Sequence, residues 1–178
     1  MPLYRFEDKL PRIAESAFVH PEAVLIGDVV IDEGCYIGAG ACLRGDWSGM
    51  YVGPGSNVQE NAVIHGLCRL GPSSHIGHGS ILHACTLHYH VYVGMGSIIM
   101  DEAVIGEGCM LGSGTLITQK TEIPARKLVM GVPGKIVGDL SPKLAEWTMW
   151  ATSQYQEITA RYKSGMERVE LSQCRKKS

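Results

Sequence analysis

No window of the 178 residues approaches 18 uninterrupted apolar residues, and the opening MPLYRFEDKLPRI has no apolar secretory core. Neither a spanning helix nor a leader peptide is expected, so the reading is a cytoplasmic protein with no membrane partner. Charge of one sign is also missing: 16 Lys and Arg stand against 18 Asp and Glu, a formal net charge of −2. The only basic run, Arg175 to Lys177, reads as a solvated tail, and no nucleic-acid partner is expected. Six cysteines are present but no C-x-x-C, which argues against a zinc-thiolate site. Cys35, Cys68, Cys85 and Cys109 each fall two residues before an aliphatic position of the repeat described next. They are expected to be small core side chains rather than disulfide partners. Cys42 and Cys174 fall outside that pattern.

The alternation of an ordinary strand is missing too, as is a 3.6-residue helical period over most of the length. What is there has a period of six. Aliphatic residues stand at Val19, Leu25, Ile31, Ile37 and Leu43, with small residues at Ala17, Ala23, Val29, Cys35 and Ala41 two places before them. The register breaks over the nine residues from Leu43 to Val52, one hexad plus an insertion of three around Gly45 to Met50. It resumes at Val58, Ile64, Leu70, Ile76 and Leu82, shortens once to Leu87, and continues at Val93, Ile99, Ile105, Leu111, Ile117 and Ile123. Gly follows the aliphatic residue at 38, 53, 71, 77, 94, 106 and 112, as expected where a corner needs positive φ or a close approach. Such a period specifies a triangular parallel β-helix, in which each hexad is one short strand and one corner. A single coil cannot bury its inner face, so stability comes from stacking.

From Ser141 the pattern changes. Ser141-Pro142 is an N-cap followed by proline at the first helical position. Leu144, Trp147, Ala151, Tyr155, Ile158 and Tyr162 then recur at helical spacing to about Val169. The segment from Gly131 to Val137 reads as a turn out of the last coil. The expected organisation is a β-helix domain over 1–138 and a helix with its tail over 139–178, the aromatic stripe packing on the prism.

Six of the seven histidines lie between Asn57 and His90. His65 and His83 are 18 residues apart, one full turn of three hexads, so they should stack on adjacent coils. Adjacent coils sit roughly 4.8 Å apart, a separation at which two imidazoles can grip one ion with bonds of about 2.0–2.1 Å. His78 is five residues from His83 and falls on another face, so a symmetry-related chain would have to bring it to the same ion. Leu43, Ile64 and Leu82 share a face, which stacks Arg44 in line with His65 and His83. His75 and His20 are expected on the surface.

These residues resemble the hexapeptide-repeat superfamily with its left-handed β-helix, and within it the γ-class carbonic anhydrase-like proteins, in the branch of the PaaY and CaiE proteins of phenylacetate and carnitine operons. The matching motifs are L-R-G-D from Leu43, N-V-Q-E from Asn57, I-H-G from Ile64, HIGHGSILH from His75 to His83, M-D-x-A-V-I-G from Met100 and G-x-P-x-K from Gly131. F-V-H-P-x-A-V-L-I-G-D-V from Phe18 points to the branch. The resemblance implies a homotrimer with one metal per interface, Zn²⁺ or else Fe²⁺ or Co²⁺. His65 and His83 would come from one subunit and His78 from its neighbour. Arg44 and Asp46 are implied to form an interface ion pair, Gln59 to position the bound water or bicarbonate, and Asn57 to be a hydrogen-bonding neighbour. Two features depart from the family pattern. The acidic loop after the first metal histidine is absent, since His65 runs to Leu70 within one hexad, and Trp47 follows Asp46. Histidines 88 and 90 are the alternative proton carriers.

The leading functional expectation is reversible CO₂ hydration by a metal-bound hydroxide at the trimer interface. The alternatives are a metal-dependent thioesterase acting on acyl-CoA esters, a hexapeptide acyltransferase needing one histidine and no metal, and a non-catalytic scaffold trimer.

Overall fold

The computed structural model describes residues 2–175; Lys176 and Lys177 of the basic run lie outside them. The chain winds into a left-handed parallel β-helix of about seven turns, followed by one long helix, α1 (Pro142–Gly165). Most of its strands are short because a hexad supplies only two or three extended residues before a corner, while Val24–Ile31 and Cys42–Val52 run on through one. The aliphatic positions Leu25, Leu43, Ile64, Leu82, Ile99 and Ile117 stack on one face of the prism, here called face two. Ile31, Val52, Leu70, Leu87, Ile105 and Ile123 form face three. Val19, Ile37, Val58, Ile76, Val93 and Leu111 form face one, which one unforeseen rung, Val129, extends. All of these side chains are buried. Each contributes about 1.5–3 kcal/mol relative to exposure.

The inner corner positions accept Ser, Thr and Cys as readily as Ala because a carbonyl waits there. Ser80 and Ser97 donate to Gly94 and Gly112 carbonyls at 3.1 Å, and the Cys35 thiol donates to the Gly53 carbonyl at 3.2 Å. All six cysteines are free, and the four assigned to the core are buried. Of the two reasons offered for glycine after the aliphatic position, close approach is the operative one. A Cβ on Gly94 would lie 2.5 Å from the Ser113 amide nitrogen, whereas positive φ falls elsewhere on the corners, as at Gly79 and Gly96.

The insertion is located by the pairing register: Gly27 sits opposite Gly45, but Val29 opposite Met50. Three extra residues are thereby accommodated, and Trp47 protrudes from the loop, 85% exposed. At the N-terminus Leu3–Tyr4 and Arg12–Ile13 pair with Val24–Ile31; Ile13 stands one hexad before Val19, whereas Leu3–Tyr4 falls outside the period. At the far end, Ile136 and Val137 are not part of a simple turn. Lys135–Asp139 returns antiparallel to Lys127–Met130 and closes face one.

Helix α1 starts as expected, with the Ser141 hydroxyl accepting from the Leu144 N–H. It ends at Gly165, short of Val169, where glycine and the extended Met166 stop the winding. The helix lies along face one, and Tyr155 and Tyr162 pack against Tyr36 with ring centres 5.3 and 5.5 Å away. Its most buried residues are Thr148, Thr152 and Thr159, which the apolar stripe omits. Each threonine hydroxyl donates to a carbonyl one turn back, leaving its methyl for packing.

The three outer faces differ in kind. Face one carries Phe18, Tyr36, Asn57, His75 and Tyr92 outward, under the helix. Face three carries Val30, Tyr51, Arg69, Thr86, Val104 and Glu122, a mixed column more polar than that of face two. Face two carries Cys42, Val63, Ile81, Ile98 and Leu116 in one column that none of the described residues covers. Val63, Ile81 and Ile98 are each exposed, and Cys42 finds its place as a member of this column.

Candidate functional site at one corner of the prism

Two residues along from Cys42, Val63 and Ile81 of that column, past one inward side chain, come Arg44, His65 and His83. Backbone pairing aligns all three, Arg44 opposite His65 and His65 opposite His83. Immediately afterwards Gly66 and Ala84 take left-handed backbone angles, φ +77° and +44°, so the chain turns and both rings stand at the corner. Their centres are 5.0 Å apart, and His65 Nδ1 lies 3.0 Å from His83 Nε2.

Carboxylates hold the other nitrogens. Asp46 Oδ1 is 3.2 Å from His65 Nε2, and Asp101 Oδ1 is 2.9 Å from His83 Nδ1. Asp46 also meets the Arg44 Nε at 3.3 Å within the same chain. Burial pushes the Asp46 carboxyl up, but its own backbone N–H, the Arg44 guanidinium and His65 outweigh that and hold it below the ordinary range. Asp101 is held low by its own backbone N–H, by His83 and by a hydrogen bond from Gln119.

The proton positions follow from these partners. His65 Nε2 also faces Arg44 Nη2 at 2.9 Å. When Arg44 donates to that nitrogen, His65 carries its proton on Nδ1 and donates it to His83 Nε2. When Nε2 carries the proton and donates to Asp46, two bare nitrogens face each other at 3.0 Å, an arrangement that calls for a cation between them. In both cases His83 donates its Nδ1–H to Asp101.

His78 stands at a different corner of the same coil, between faces one and two, as its spacing required. Its Nδ1 is 2.6 Å from Glu60 Oε2, and Glu60 Oε1 accepts from the Tyr36 hydroxyl at 2.8 Å. Nε2 is left pointing away from that pair. Among the described residues no group of three or more His, Cys, Asp or Glu side chains is placed to hold an ion within one chain.

Gln59 and Asn57 belong to the corner and face of His78, not to the His65–His83 pair. Both are buried, and the Gln59 amide donates to Asn57 Oδ1 at 3.0 Å and contacts His75 Nε2 at 2.7 Å. Their partner corrects an expectation: His75 is no surface residue. It stacks on Tyr92 at 4.2 Å and meets Tyr155 edge-on, covered by α1. Burial first, then the nearby His78 and His90, lowers its pKa to about 3. The helix also reaches His90, whose ring lies against Thr148 and whose pKa burial depresses. His88 and His90 follow face three, a whole face further along the coil than His83.

Sequence reasoning missed Glu60 and Asp101. A signal existed, since each lies 18 residues from its histidine, the interval that already linked His65 to His83.

Similarity to known proteins agrees with this architecture. The family model for bacterial transferase hexapeptide repeats matches residues 11–45. The chain is 40% identical over 170 residues to the carnitine operon protein CaiE of Proteus sp., covering 93% of this chain and 86% of that one. It is 41% identical over 165 residues to CaiE of Escherichia coli K12, covering 90% and 84%. The chain belongs to the hexapeptide-repeat family that includes CaiE. A solved hexapeptide transferase family protein from Anaplasma phagocytophilum superposes with a TM-score of 0.88 at 36% identity, covering 90% of this chain and 98% of that one. A Bacillus cereus protein described as a proposed acetyltransferase gives 0.87 at 34%, covering 92% and 98%. No helix among the described residues is long and apolar enough to cross a membrane.

Proposed function

We propose that this CaiE-family chain is a homotrimeric metalloenzyme whose site is completed between subunits, and that it catalyses reversible hydration of CO₂. One observation carries the reading: His65, His78 and His83 each have one ring nitrogen against a carboxylate, and the second nitrogens of His65 and His83 face each other. Metal-ligating histidines are characteristically held this way. The 3.0 Å between His65 Nδ1 and His83 Nε2 is close to the roughly 3.3 Å that separates two nitrogens on a tetrahedral ion with bonds of about 2.0–2.1 Å. The residues therefore fit Zn²⁺, and by the same donor set Fe²⁺ or Co²⁺, with His65 and His83 from one subunit and His78 from the next. The ion, when bound, supplies a Lewis acid that brings a coordinated water's pKa near 7. Self-association is supported by the uncovered column from Cys42 to Leu116 beside the histidine pair, since exposed apolar stripes of this kind mark interfaces.

In this reading Asp46 fixes the His65 ring, and the Arg44 guanidinium next to it offers donors to an anionic product such as bicarbonate. Gln59 and Asn57, engaged with His75, support the corner that presents His78. Hydrolysis of acyl-CoA thioesters would use the same groups on a different carbonyl.

A second reading, acyl transfer from an acyl-CoA without metal, is favoured by the names of the two solved relatives at 34 and 36% identity. The deciding experiment measures metal content together with CO₂ hydration, acyl-CoA hydrolysis and acetyl transfer on one preparation, before and after chelation. Expected is about one metal per chain and hydration lost on chelation. Chelated protein that transfers acetyl groups at an undiminished rate overturns the metal reading in favour of the second.

A further inference from the structure

We infer that Asp101 is a positioning residue that holds His83 in the Nδ1–H tautomer and thereby aims Nε2 at the ion. The inference rests on the metal reading above and adds to it a residue outside the histidine set. Its basis is geometric. Asp101 Oδ1 lies 2.9 Å from His83 Nδ1, and that carboxylate can only accept, so the proton belongs on Nδ1. His65 is compatible with that answer: with His83 Nε2 bare, His65 Nδ1, 3.0 Å away, either donates to it or shares a cation with it. Asp101 is itself anchored. Its backbone carbonyl accepts from the Lys120 N–H at 2.9 Å. The residue sits on the corner one coil beyond His83, while the five-residue step after Leu82 moves the next coil by one place. That offset leaves Met100, not Asp101, as the rung successor of His83, and so sets the carboxylate beside the ring's edge rather than over its face.

The test compares Asp101→Ala and Asp101→Asn with the wild type in the assembled protein. Zinc affinity is measured by competition with a chromophoric chelator. The His83 tautomer is read from ring nitrogen shifts of ¹⁵N-histidine-labelled, metal-free protein, with His83→Gln supplying the assignment. Expected for Asp101→Ala is a zinc affinity about 10–100-fold weaker and loss of the Nδ1–H signature. The asparagine variant, whose amide oxygen still accepts from Nδ1–H, should keep the tautomer and recover most of the affinity. A purely structural contact would instead change thermal unfolding and leave the tautomer alone. Tight zinc binding by wild type with an equal affinity in Asp101→Ala overturns the positioning role and leaves the metal reading standing. So does a wild-type His83 that is protonated on Nε2. Wild-type protein that binds no zinc overturns the metal reading, and this role with it.

Discussion

At the residue scale the repeat imposes two unlike demands on glycine. Gly94 has an ordinary backbone angle but no space, with its would-be Cβ 2.5 Å from a backbone nitrogen; Gly96 has φ +65° and open space around it. Alanine at Gly96 should therefore cost about 1 kcal/mol, the left-handed penalty. Alanine at Gly94 must push two coils apart, and about 3 kcal/mol is expected. Urea unfolding of the two variants checks the order, and a larger loss for Gly96→Ala would refute it. The proposed metal ligands make the opposite case, because they stand outside the prism and the stacked core does not depend on them. His65→Ala, His78→Ala and His83→Ala should each lose most of the bound metal while remaining folded trimers. Elemental analysis giving full occupancy in any one removes that residue from the ligand set. Arg44, His65 and His83 could be placed from sequence because an inward aliphatic residue fixes the rung beside it. Glu60 and Asp101 carry only the weaker mark of an 18-residue interval to His78 and His83, because no inward aliphatic residue fixes a carboxylate on a corner.

At the element scale the instructive difference lies in α1. The aromatic stripe told that a helix would pack on the prism, but not that threonines would form its most buried line or that His75 would be sealed beneath it. Apolarity is a poor guide where hydroxyls bond their own helix and an imidazole finds an amide, as His75 does with Gln59. The buried ring makes helix docking sensitive to acid. Its folded pKa of about 3 lies below the ordinary histidine value of about 6.5. The neutral ring's full contribution is therefore present above the unfolded value and is lost as pH falls from there toward the folded one. Between pH 7.5 and pH 5 this residue alone should remove about 2 kcal/mol, with His90 acting in the same direction. His75→Ala will be less stable at neutral pH, where Gln59 and Asn57 lose a partner, but its stability should fall less steeply with acid. Parallel acid slopes in the two proteins would show that His75 is not the sensor.

At the scale of the whole molecule, each outer face has a distinct neighbour: the protein's own helix, water, and an uncovered apolar column. Period six made the prism legible from sequence. Which face stayed bare was not, because outward residues obey no period and the helix's choice of face depends on Phe18, Tyr36 and His75 together. If the bare column meets another copy, Ile81→Glu should give a monomer that also fails to hold metal, measurable by sedimentation and elemental analysis. A metal-replete monomer would contradict the shared site. The sharper case concerns which chain owns which ligand. His65→Ala and His78→Ala trimers should each be empty, yet a mixture of the two after subunit exchange should regain sites. An interface is complete when the His78→Ala chain presents His65 and His83 and the His65→Ala chain presents His78. Random assembly around a closed three-fold ring makes that true at roughly one interface in four. Mixing His65→Ala with His83→Ala is the control, because those two side chains stack on one chain, 3.0 Å apart between ring nitrogens, and no exchange can reunite them. Metal or activity regained in the control, or none in the first mixture despite demonstrated exchange, would place His78 on the wrong side of the interface.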